Sequence, residues 1–81
     1  MKTRIREIIA EVVDLPAGIE AISDSADLHD AGMTSFDAVQ LMIALEDAFD
    51  IEFPDSMLRR ATFASVDAIG GAVARLQAES S

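Results

Sequence analysis

Between Ser35 and Phe49 the chain reads SFDAVQLMIALEDAF, a run with neither Gly nor Pro. Good helix formers fill it, so an α-helix is expected over residues 35–49. Its apolar residues fall on two stripes. Ala38, Met42, Leu45 and Phe49, spaced 4, 3 and 4 apart, form the expected core seam, with Leu41 alongside. Phe36, Val39 and Ile43 form a second stripe turned well away from that seam. A small bundle cannot bury one helix all round, so part of the second stripe is left for solvent or a partner. The alternative is that Val39 and Ile43 pack against a loop, with Phe36 the most exposed of the three.

The other elements arrange themselves around this helix. Ile5, Ile8, Ile9, Val12 and Val13 follow helical spacing and predict a helix over residues 3–14, with Thr3 as its N-cap and Pro16 and Gly18 ending it. From Leu15 to Thr34 no period persists, yet Ile19, Ile22 and Leu28 are placed as if to pin a long loop to the core. A loop of this length in so short a chain is functional or contains a helical turn. Pro54 suits the first position of a short helix, PDSMLRR, with Asp55 at its positive end and Arg59 and Arg60 at its negative end. Thr62 and Ser65 are candidate caps for a last helix running to about residue 78, whose stripe is Val66, Ile69, Val73 and Leu76. Gly70 and Gly71 inside it cost about 2 kcal/mol against two alanines and are read as a mark of close helix packing. The tail AESS is expected to fray. The fold expected is all-α: a small four-helix bundle of three longer helices and one short one, with a long loop between the first two.

Length and charge narrow the function. The 81 residues allow one domain, 1–81, with an ordered core expected at 3–78. Fifteen acidic side chains against six basic give a net charge of −9, which repels nucleic acid and anionic membranes and attracts basic protein surfaces. Cysteine is absent, so the chain has no disulfide, no thiolate nucleophile and no sulfur-based zinc site of its own. The charged N-terminal stretch MKTRIREIIAEVV lacks the apolar core of a signal peptide, and no run reaches membrane-spanning length. A cytoplasmic, monomeric, metal-free protein is expected.

Two catalytic readings fare poorly. The single histidine, His29, stands near Ser35, Asp24, Asp27 and Asp30, the residue types of a hydrolase triad. A triad also needs a pocket and a preorganised oxyanion site, for which a small aliphatic bundle has little room. The three aspartates are spaced by three, unlike the alternate positions of a calcium loop, and read as solvated or capping groups.

Ser35 admits two readings. Serine is a preferred N-cap, and Gly32 in the preceding loop is ordinary turn chemistry. A hydroxyl at a helix start also lies beside unpaired N–H groups and the positive end of the dipole, which favour an attached phosphate by roughly 0.3–1 kcal/mol.

The stretch DAGMTSFDAVQLMIALEDAFDIEFPD resembles the core of the acyl carrier protein family. The family pattern is Asp, an apolar residue, Gly, two variable positions and Ser-Leu-Asp, then an apolar and acidic helix, Glu/Asp-Phe and Ile-Pro. Asp30, Gly32, Ser35, Asp37, Val39, Leu41, Leu45, Glu46, Phe49 and Pro54 fall on it without a gap, and the likeness extends through ATFASVDAI and the first helix. The resemblance implies a carrier without catalysis of its own. In such a carrier Ser35 receives 4′-phosphopantetheine from a phosphopantetheinyl transferase, and the arm's thiol holds an acyl or aminoacyl group as a thioester. It also implies that Phe36, Val39 and Ile43, flanked by Asp37, Glu46 and Asp47, meet partner enzymes, including a loading ligase and downstream acyl-transfer enzymes. An acidic interaction module without a prosthetic group is the alternative.

The departures are informative. Thr34 stands where the family most often has Asp, Phe36 replaces Leu, and Gln40 stands where many fatty-acid carriers place Glu. GMTSF followed by FPDSMLRR is similar to bacterial aminoacyl carriers loaded by ligases related to class II aminoacyl-tRNA synthetases. That likeness adds Thr34, Arg59 and Arg60 to the expected partner-binding residues.

Overall fold

The computed structural model describes residues 1–80, with Ser80 described by its backbone alone. Three helices, α1 (Lys2–Val12), α2 (Ser35–Phe49) and α3 (Val66–Ser80), are joined by segments carrying 3-10 turns at Ile19–Ala21, Asp55–Met57 and Arg60–Phe63. Among the described residues there is no strand, and no helix is long and apolar enough to cross a membrane. The last residue of the tail expected to fray, Ser81, lies outside the described residues.

α1 packs against both α2 and α3. Ile5, Ile8 and Ile9 are buried to within one percent, as the period demands, and Val13 follows them in extended conformation. The helix begins earlier than Thr3 allows. The Ile5 N–H already donates to the Met1 carbonyl at 3.0 Å, so Met1 is the cap residue and Thr3 lies inside the first turn. It also ends at Val12, because the Leu15 side chain must turn back into the core and Pro16 disfavours helix at the residue before it.

The long loop is held by a cation. Arg6 donates to the carbonyls of Ile19 and Ile22, both at 2.7 Å, and to Asp24 Oδ1 at 2.8 Å. The Leu28 N–H donates to the Ala64 carbonyl, and the Asp67 N–H to that of Asp24, so the same loop is stitched to the start of α3. Ile22 and Leu28 are buried and Ile19 is partly buried, as their spacing implied, and Met33 joins them. The radius of gyration, 11.6 Å, matches the roughly 11.7 Å of a chain this long folded throughout. The loop is therefore part of the body of the protein.

α2 has the boundaries its sequence implied, but its seam is rotated. Leu41 and Leu45 are fully buried, while Ala38, Met42 and Phe49 are only partly so. The inward face is therefore centred on the Leu41–Leu45 pair, which shares one core with the isoleucines of α1. α2 ends at Asp50, whose left-handed backbone (φ 53°, ψ 52°) closes the helix without a glycine.

The short helix expected over PDSMLRR is replaced by two 3-10 turns flanking Leu58 and Arg59. Phe53 and Phe63, buried edge to face with ring centroids 5.1 Å apart, fix the two ends of this segment. Ser65, not Thr62, caps α3: its hydroxyl accepts from the Ala68 N–H at 3.0 Å, whereas Thr62 belongs to the preceding turn. Val66, Ile69, Val73 and Leu76 are all buried. Gly70 faces Ile5, yet a methyl there would meet Ile5 Cδ1 at an ordinary 3.8 Å, and at Gly71 it would meet nothing. Helix packing therefore requires neither glycine.

Candidate functional site at the start of the second helix

The approach to α2 is shaped by a tight turn. Asp27 Oδ1 accepts from the His29 N–H at 2.8 Å, and the Ala31, Gly32 and Met33 N–H groups fold back onto Asp27, His29 and Leu28. Gly32 has φ +121°, and a Cβ there would lie 2.9 Å from Pro16 Cδ. Both facts demand glycine, which ties the site to the end of the first helix's loop. Met33 is buried as an anchor, and the chain then emerges at the surface.

Thr34 is the N-cap. Its hydroxyl accepts from the Asp37 N–H, and the Asp37 carboxylate accepts from the Thr34 N–H, a reciprocal pair at 3.1 Å each. Ser35, expected as the cap, is instead the first helical residue. Its hydroxyl is exposed and makes no hydrogen bond among the described residues. The Ser35 and Phe36 N–H groups of the first turn have no acceptor among the described residues. An acceptor hydroxyl, free amides and the positive helix end thus coincide.

The second stripe is open to solvent: Phe36 is 71% exposed, Val39 50% and Ile43 51%. Val39 and Ile43 are therefore not covered by the loop. Of the acids around them, Asp47 is exposed, Asp37 is engaged in the cap, and Glu46 accepts from the Phe53 N–H at 2.9 Å. Glu46 thus also orders the chain leaving α2.

Beside Ser35 lies an open groove of about 470 Å³. Ser35, Ala38, Val39 and Met42 of α2 line one side, and Leu58, Arg59, Arg60 and Phe63 the other. His29 lines it too, and its Nε2 is buried with no hydrogen-bond partner among the described residues. Leu58 and Phe63 are groove residues that sequence spacing did not reveal, since they belong to a segment more than twenty positions beyond the serine.

No triad is assembled. Asp27 is engaged by the His29 backbone and Asp24 by Arg6, and no hydrogen bond joins His29 to Ser35. Asp24, Asp27 and Asp30 do not converge either, and the described residues contain no group of three or more side chains suited to a metal.

Comparison with known proteins agrees with this geometry. Residues 3–73 match the model of the phosphopantetheine attachment site family. The chain is 54% identical over 69 residues to the aminoacyl carrier protein of Agrobacterium fabrum strain C58, covering 85% of this chain and 83% of that protein. Its fold matches, at TM-score 0.89 and 51% identity, the Agrobacterium tumefaciens carrier protein in complex with an engineered Bradyrhizobium japonicum glycine:[carrier protein] ligase and AMP, over 91% of this chain and 99% of that one. It also matches, at TM-score 0.71 and 30% identity, the glycylated carrier protein bound to the Bradyrhizobium japonicum ligase, over 88% of this chain and 96% of that one. A serine-bearing helix start and a match across most of its length together show that this chain belongs to the phosphopantetheine attachment site family, the carrier proteins.

Proposed function

We propose that Ser35 is the residue to which 4′-phosphopantetheine is attached, and that the chain carries an aminoacyl group delivered by an amino acid:carrier protein ligase. The observation that carries this reading is the free Ser35 hydroxyl on a helix start whose capping is already complete. The residues fit the group. Unpaired amides at Ser35 and Phe36 suit its phosphate, and Arg59 and Arg60 stand across the groove. When bound, the arm supplies the thiol that a chain without cysteine lacks.

The chain's own residues then have two tasks. Thr34 and Asp37 hold the first turn rigid, so the serine is presented in one orientation. Phe36, Val39 and Ile43 form the partner-docking stripe, with Asp37, Glu46 and Asp47 contributing negative charge along it and Arg59 and Arg60 at the groove rim. A net charge of −9 speeds encounter with basic partner surfaces, in a small and salt-sensitive interface. Acting as a cytoplasmic monomer, the carrier meets in turn a phosphopantetheinyl transferase, a ligase related to class II aminoacyl-tRNA synthetases and a downstream acyl-transfer enzyme. The aminoacyl cargo is favoured over a fatty acyl one by the ligase complexes of the similar carriers, and glycine is the first amino acid to test.

Coexpression with a promiscuous phosphopantetheinyl transferase and intact-mass measurement test the attachment. Wild type gains one phosphopantetheine and Ser35→Ala gains none; an equal gain in the variant discards the assignment. Loading of the modified protein with glycine, other amino acids and fatty acids by the respective ligases then decides the cargo.

A further inference from the structure

The end of α1 breaks a local electrostatic rule. The negative end of a helix is matched by Lys, Arg or His where the sequence favours the helix, yet no basic residue occupies the last turn of α1. Glu11 lies in that turn, and Asp14 follows shortly after it. The Ala10, Glu11 and Val12 carbonyls accept no hydrogen bond among the described residues, since the Val13 N–H goes to Ile9 and the Gly18 N–H to Leu15.

An open cleft of about 320 Å³ borders this helix end. Asp14 and Glu20 line it with carboxylates, and Ala10, Val13, Leu15 and Ile19 give it apolar walls. Neither carboxylate has a hydrogen bond or an ion pair among the described residues, and none of the six lysines and arginines lines the cleft. Within the chain, acids at this end of a helix only lower stability. A local rule broken without internal compensation is expected where the residues serve something outside the fold.

Building on the carrier role proposed through Ser35, we infer that this cleft is a second docking point, a socket for one lysine or arginine side chain of the amino acid:carrier protein ligase. The aliphatic stem of that side chain packs on Val13, Leu15 and Ile19, and its charged head meets Asp14, Glu20 and the free helix-end carbonyls. A metal ion fits less well, since the described residues contain no group of three or more suitable ligands.

The position suits an enzyme working at the serine. Pro16, exposed and next to Leu15, rests against Gly32, three residues before Ser35. A partner that covers Ser35 and extends across Pro16 therefore arrives at the cleft. Phe36, Val39 and Ile43 give the interface apolar area on α2. The socket adds a charge contact on a different element, and two such points fix the rotation of the carrier where one does not.

The test uses the full holo chain, verified by intact mass, with glycine, ATP and a glycine:carrier protein ligase. The double variant Asp14→Asn, Glu20→Gln raises KM for the carrier roughly fivefold, as expected for loss of an exposed charge contact, with kcat unchanged. Its Tm stays level or rises, because the helix end is relieved of negative charge. The control Glu52→Gln, Glu79→Gln removes two charges from the cleft beyond the other end of α2 and leaves KM within about twofold of wild type. In isotope-labelled wild type titrated with the ligase, the Gly18 and Ile19 amide signals shift together with that of Val39. Equal KM values in the two double variants, or Gly18 and Ile19 signals that stay in place while that of Val39 moves, overturn the socket and leave the carrier reading intact. A holo chain that accepts no amino acid from any such ligase overturns the aminoacyl reading, and the socket with it. The wild-type titration needs no variant, so a folding defect in either pair does not protect the proposal.

Discussion

The Thr34 hydroxyl accepts from the Asp37 N–H while the Asp37 carboxylate accepts from the Thr34 N–H, each at 3.1 Å. This reciprocal pair makes Ser35 dispensable for starting α2. Thr34→Ala removes one half of the pair and should cost about 1 kcal/mol, whereas Ser35→Ala should stay within about 0.5 kcal/mol of wild type. Urea unfolding of apo protein measures both. A larger loss at Ser35 than at Thr34 would return the cap to the serine.

Gly32 is required twice over, by its φ of +121° and by Pro16 Cδ lying 2.9 Å from the place of a Cβ. Gly32→Ala should lose about 1–3 kcal/mol, the range for a residue forced into sparsely populated backbone. Because the turn also sets the approach to Ser35, the rate of phosphopantetheinylation should fall with stability. An alanine variant as stable as wild type would mean that the turn tolerates a side chain.

Gly71 is the opposite case, exposed within α3 with nothing within 4 Å of an added methyl. Gly71→Ala should stabilise the protein by about 1 kcal/mol, a rise of roughly 4–8 °C in Tm for a chain of this size. Calorimetry at matched protein concentration reads the change directly.

Phe36, exposed to 71% beside the serine, contributes little to the core. Phe36→Ala should change stability by less than about 0.5 kcal/mol, yet reduce kcat/KM for ligase loading roughly tenfold, as truncation of an aromatic anchor does. A stability loss above about 2 kcal/mol would assign it to packing instead.

Lys2 joins the start of α1 to α3 through Asp67 at 2.7 Å. The hydrogen bond to Asp67, and then the charge of Asp67, hold its ammonium above the ordinary value of 10.5. A raised folded-state value means that the pair's contribution is fully present below 10.5 and is lost as pH rises through the folded value. The stability difference between wild type and Lys2→Met should therefore be constant from neutral pH to about 10 and shrink above it. Chemical denaturation across that alkaline range checks the sign.

The periods of Ile5, Ile8 and Ile9 and of Val66, Ile69 and Val73 announced two helices because each pattern lies within a few turns of one segment. The same holds for α2, whose ends at Ser35 and Phe49 follow from composition alone, and for the resemblance carried by Gly32, Ser35 and Asp37. Where the reading failed, one miss was local and one was not. Thr3 lost its cap to Met1 through the single bond from the Ile5 N–H, whereas PDSMLRR gave up its helix to a path fixed by the buried Phe53–Phe63 pair.

By itself the sequence determined three helices, a serine at the start of the second and an excess of acid around it, since periodicity and charge are properties of neighbouring residues. Only the tertiary structure decided the rest. Thr34 and Ser35 are equally able to cap a helix, and the turn held by Gly32 and Pro16 set the backbone that chose Thr34. The groove joining His29, Ser35 and the Arg59–Arg60 pair exists because Phe63 is anchored in the core and brings its segment alongside α2. Contacts between residues so far apart depend on how the whole chain closes, which no local pattern records.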